Sequence, residues 1–147
     1  MKVLISNRQR LIKLDLRRIK RDSMKALSLL GLKRAELSIM FAGEARMRAL
    51  NLRYRGINSP TDVLSFPIFE SSGEFPEEGE FPLGDIVINP LRAKLHAPLH
   101  GLSLYEELRR LIVHGLLHLM GYEHERGPYR RRKMRGKEIE LLEALSG

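Results

Sequence analysis

Apolar residues recur along this chain with two periods, and those periods sort most of it into elements. Lys2 to Ser6, alternating around Val3, Leu4 and Ile5, predicts a short strand. The helical spacing of Leu14, Ile19, Leu27 and Leu30 predicts a helix over Leu11 to Leu30, stopped by Gly31. Period two returns at Glu36 to Ala42, which sets Leu37, Ile39 and Phe41 on one face of a second strand. Glu44 to Tyr54 reads as a helix with Met47, Leu50 and Tyr54 on its apolar stripe, ending near Gly56.

Beyond the turn at Ser59-Pro60 the chain is extended through Val63, Leu64 and Phe66. Pro67 cannot donate to a ladder, so this is an edge strand or the end of one. Glu70 to Glu80, rich in glutamate, serine and glycine, predicts an acidic loop. Leu83 to Asn89 is an apolar strand interrupted by Asp85, an acid that either pairs with an arginine or serves a site, and Pro90 opens a short helix through Leu95. His96 and His100 fall in a loop and read as surface residues. Ser103 with Glu106 forms a capping box, which starts a helix whose Leu104, Leu108, Leu111 and Leu119 face a core. After Gly127-Pro128 a last helix runs to about Leu145. With no repeat and no linker, residues 1–147 are expected to form one domain able to bury its own core.

Charge adds a partner class to this picture. The formal net charge is +8, and the excess gathers between Lys2 and Lys25 and between Arg126 and Lys137, clusters suited to a phosphate backbone or an anionic surface. Charges on several faces of the first helix argue against a membrane-surface role. No apolar run approaches the ~20 residues of a membrane span, and the first residues lack the layout of a signal peptide, so a cytoplasmic protein with no membrane is expected. The absence of cysteine removes thiolate chemistry and leaves histidine and carboxylate as the strong metal ligands.

Those ligands are concentrated in HGLLHLMGYEH, residues 114–124. On a helix, His114 and His118 project from one face about 5–6 Å apart, close enough to share an ion. Gly121 can adopt the left-handed conformation that closes the helix, letting His124 return as third ligand. Three imidazoles suit zinc, with another divalent transition metal as an alternative, and leave a position open for water or substrate. The HxxxHxxGxxH spacing is metzincin-like, yet the glutamate base of those proteases is replaced by Gly115.

Together with PTDVLSFP at Pro60 to Pro67, LGDIVI at Leu83 to Ile88 and the Asn-x-x-Tyr-Arg of Asn51 to Arg55, this motif resembles the YbeY endoribonucleases, bacterial ribosomal RNA maturation factors. The resemblance implies a single α+β domain, a small mixed sheet packed with about five helices. It also implies one zinc ion per chain held by His114, His118 and His124, and cleavage of single-stranded RNA. Ribosomal RNA or the small ribosomal subunit would be the partner, in 16S ribosomal RNA 3′-end maturation and ribosome quality control. Arg55 takes the place of the family's functional arginine, so the catalytic candidates are Arg55 and His114. Glu123 departs from the family's aspartate before the last histidine.

In this reading the metal activates water or polarises a phosphate oxygen, and Arg55 stabilises the charge on the scissile phosphate. The base stays open between metal-bound hydroxide, Asp62, Asp85 and the RNA 2′-hydroxyl. Two rivals stand beside it: a metal-dependent peptidase of metzincin-like type, and a non-catalytic RNA-binding ribosome-assembly factor.

Overall fold

The computed structural model describes residues 1–122 and 127–146. Four strands, β1 (Lys2–Arg8), β2 (Ala35–Ala42), β3 (Val63–Pro67) and β4 (Phe81–Ile88), form one sheet in the order β1-β2-β4-β3. The β1/β2 and β2/β4 pairs are parallel and β3 runs antiparallel to β4, so the sheet is mixed and β3 is an edge, where Pro67 costs no ladder bond. Five α-helices, α1 (Leu16–Leu29), α2 (Glu44–Arg55), α3 (Pro90–His96), α4 (Leu104–Leu119) and α5 (Pro128–Ser146), complete the α+β architecture among the described residues.

Strand alternation divides the helices between the two faces. Leu37, Ile39 and Phe41 of β2 and Ile86 and Ile88 of β4 are fully buried in the main core with Leu108, Leu111, Leu116 and Leu119 of α4. The opposite face carries Ala42, Leu64 and Val87 under Met47 of α2, with Phe66 packed alongside. Leu64 and Phe66 of the edge strand therefore look toward α2, whereas Val63 and Ser65 look toward α4. This placement sets the ends of α2 and α4 on either side of β3.

Several boundaries differ from the periodicity. Helix α1 begins at Leu16, five residues later than the apolar spacing suggests, because the Asp15 side chain accepts from the Arg18 amide and fixes the N-cap there. Leu11 is consequently exposed. Strand β4 starts at Phe81, two residues early, and α2 includes Arg55 before Gly56 caps it in the left-handed conformation. The capping box at Ser103 is formed in full. Tyr54, expected on a buried stripe, is 56% exposed, and Leu104 is only half-buried.

Candidate active site

Helix α4 lies against β3 and β4, and the closeness of that packing rests on Gly115. A Cβ at this position would stand 2.8 Å from Ile86 Cδ1 and 3.1 Å from Ser65 Oγ, well inside contact distance. With position 115 pressed to the sheet, His114 and His118 emerge half-buried into an adjoining cleft. Their Nε2 atoms face each other at 2.9 Å. Helix α4 ends at Leu119, and Gly121 takes φ +95° where the chain passes under Glu70 and Ser71; an added Cβ would meet the Glu70 carbonyl oxygen at 2.5 Å. Glycine meets both demands, as its place in the motif implied. His124 and Glu123 lie outside the described residues.

Nδ1 of His114 is engaged by the Glu138 carboxylate of α5. A carboxylate there accepts from Nδ1–H, which leaves the Nε2 lone pair of His114 for an electrophile in the cleft. This is the donor arrangement of a metal-ligating histidine, and with His118 Nε2 beside it the pair offers two imidazole nitrogens of the kind that suits a zinc-type ion. Among the described residues they are joined by no third ligand. Nothing in the local sequence singles out Glu138, twenty-four positions from its partner.

The cleft, about 780 Å³, is lined by both histidines, by Asp62 and Ser65 before and within β3, and by Tyr54 and Arg55 at the end of α2. Arg55 is exposed, and its Nη1 donates to Oδ1 of the buried Asn51 over 3.4 Å. Asn51 in turn donates through Nδ2 to the Ser59 carbonyl at 2.9 Å, tying the end of α2 to the turn that enters β3. The sequence motif thus contains both a guanidinium for the cleft and the amide that holds its neighbourhood in place.

The carboxylates divide. Asp62 lines the cleft, one-quarter exposed, with His96 Nδ1 3.8 Å from its Oδ2. Asp85 shares the α2 face of the sheet with Val87, is exposed, and neither lines the cleft nor forms an ion pair among the described residues. Among the described residues it thus has neither an arginine partner nor a place on the cleft wall. His100 lies at the surface as expected, yet its Nδ1 is 2.7 Å from Glu107, whose side chain is wholly buried.

The sequence profile of the family described as Endoribonuclease YbeY matches residues 4–146, nearly the whole chain. The chain belongs to this family. It is similar to the endoribonuclease YbeY of Aquifex aeolicus, with 43% identity over 141 residues, covering 92% of this chain and 91% of that protein. To the endoribonuclease YbeY of Syntrophus aciditrophicus it is 40% identical, covering all of this chain and 91% of the relative. The fold matches a solution structure from Thermotoga maritima with a TM-score of 0.67 at 23% identity, over 99% of this chain and 89% of that one. No helix among the described residues is long and apolar enough to cross a membrane.

Proposed function

We propose that this YbeY-family protein is a metal-dependent endoribonuclease acting on single-stranded RNA, with a zinc-type ion held by His114, His118 and His124. Endoribonuclease activity follows from membership of the family. Ribosomal RNA or the small ribosomal subunit is the partner we propose, with 16S 3′-end maturation and ribosome quality control as the setting and the cytoplasm as the place. One observation carries the reading of the site: a single cleft is lined by His114 and His118, whose Nε2 atoms face each other, and by Arg55, although α2 and α4 lie on opposite faces of the sheet.

When bound, a zinc-type ion supplies Lewis acidity and lowers the pKa of coordinated water toward ~7. The chain's own residues do the rest. His114, oriented by Glu138, presents Nε2 in a fixed direction. Arg55 offers planar donors to the phosphate oxygens on which charge builds, and its hold on Asn51 limits the directions that it can sample. Among the described residues Asp62 is the carboxylate that lines the cleft, which favours it over Asp85 as the carboxylate candidate for the base.

The peptidase rival meets a physical obstacle. A glutamate at position 115 has no room, because Ile86 and Ser65 already fill the space of its first carbon. The discriminating experiment incubates metal-loaded protein with labelled single-stranded RNA, duplex RNA and casein, beside a His118→Ala control. Cleavage of the single strand alone, lost in the control, supports the proposal. RNA bound and left intact would favour the assembly-factor reading, and digestion of casein would favour the peptidase.

A further inference from the structure

Tyr54 is more than half exposed, though it belongs to the apolar stripe of α2. It stands beside Arg55 on the wall of the cleft. The ring is not loose: it meets Phe66 edge to face, with centroids 4.9 Å apart and planes at 68°. Phe66 is packed against the buried cluster of Ala42, Met47, Leu64 and Val87, so an exposed aromatic surface is braced from below by the core. The Arg53 guanidinium lies over the Tyr54 ring, 5.4 Å from its centre, so this ring already accepts a planar cation, and Arg55 follows it in the chain.

An exposed, buttressed aromatic ring with a cationic residue on each side in the chain, in a cleft that is also lined by a pair of histidines, has the chemistry to receive a nucleobase with its flanking phosphates, the base displacing the Arg53 guanidinium or taking the face that it leaves open. Aromatic stacking accepts every base, because each has a π-face, and guanidinium groups pair with the phosphates on either side. We propose that Tyr54, buttressed by Phe66, is the stacking platform for one unpaired nucleobase of the RNA, adjacent to the phosphate that Arg55 engages. The inference rests on the endoribonuclease reading and supplies a physical origin for single-strand selectivity. A base lying on Tyr54 has left its own helix, and a duplex must unpair and unstack to deliver one.

The test is a coupling measurement. Short single-stranded RNAs carrying one abasic spacer, moved position by position, are titrated against protein in a His118→Ala background, so that binding is read without turnover. The same series is repeated with Tyr54→Ala, Tyr54→Leu and Tyr54→Phe added. With Tyr54 or Phe at position 54, one spacer position should weaken binding on the order of tenfold, the weight of one base–aromatic stack. With Ala or Leu the intact RNA should already bind that much more weakly, and the same spacer should cost nothing further. A spacer penalty undiminished in Tyr54→Ala would overturn the platform, as would wild-type affinity in Tyr54→Leu. So would a Tyr54→Phe variant as weak as Tyr54→Ala, which would assign the effect to the phenolic hydroxyl. Melting temperatures of the variants identify any that fail to fold, and Tyr54→Leu keeps the apolar contact with Phe66. Cleavage of intact RNA by the otherwise wild-type protein, run in parallel, separates the two levels: its absence removes the endoribonuclease reading, and its presence without coupling removes only the platform.

Discussion

Gly115 of α4 and Ile86 of β4 are packed so closely that a single added carbon on the glycine would come within 2.8 Å of the isoleucine Cδ1. Both residues are buried, and the contact sets the depth at which His114 and His118 leave the helix. Restoring the metzincin glutamate at this place should therefore break the site instead of converting it. Gly115→Glu must insert an unpaired carboxylate into a full interior, adding to the ~1–3 kcal/mol typical of overpacking. A marked fall in melting temperature and no gain of proteolysis are expected, measured by thermal unfolding and casein digestion. A stable variant that digests casein would revive the peptidase reading.

Glu138 gives a prediction about the metal. His114→Ala should abolish stoichiometric binding of a zinc-type ion, whereas Glu138→Ala should weaken it about 10–100-fold, the usual effect of removing a carboxylate behind a ligating imidazole. Glu138→Gln keeps an acceptor and loses the charge, so it should fall between Glu138→Ala and wild type. Competition with a chromophoric chelator measures all three. Undiminished affinity in Glu138→Ala would reduce its contact with His114 to a tie between α4 and α5.

What could be seen in the sequence follows from how local each cause is. The i, i+4 spacing of His114 and His118, the glycine at 121 and the proline that marks β3 as an edge are all written within a turn or two of chain, and the fold realises them. Asp15 shows the limit of periodicity, since an apolar pattern that continues back through Leu11 cannot register where a side chain caps the first amides. Glu138 and the packing of Gly115 were beyond reach for another reason. Each depends on an element 24 or 29 positions away, and the missing base at 115 reads as a loss until Ile86 is seen beside it. Tyr54 misled because a stripe of apolar residues says nothing about whether the core extends far enough to cover its end.

Acid stability should depend on Glu107. Burial alone would raise its pKa, but hydrogen bonds from Arg110 and His100 outweigh burial and hold the carboxyl below its ordinary range. Because the folded pKa is lower than the unfolded one, the stability it contributes is complete above the ordinary glutamate value of ~4.3 and drains away as pH falls through the folded value. Wild type should therefore lose melting temperature steeply below about pH 4. Glu107→Gln should be less stable by about 1–3 kcal/mol at neutral pH and show a shallower acid decline. Parallel profiles for the two proteins would remove Glu107 from the acid transition.

Arg55 separates chemistry from scaffold. As the last residue of α2 it could serve only to complement the helix C-terminus, a role worth ~0.3–1 kcal/mol at an exposed position. Its place in the cleft with His114 and His118 argues for the phosphate. Arg55→Ala should retain metal and fold and lose RNA cleavage by roughly 2.7–4 kcal/mol in activation free energy, the cost of one preorganised donor. Arg55→Lys should recover part of the rate, since an ammonium keeps the charge without the two-pronged geometry. Asn51→Ala frees the guanidinium and also unties the Ser59 turn, so it should lower both rate and melting temperature, whereas Arg55→Ala should lower the rate alone. Single-turnover cleavage of one RNA, with zinc content and melting temperature read on the same samples, distinguishes these outcomes. A wild-type rate in Arg55→Ala would take the residue out of the site, and a collapsed melting transition would make its role structural.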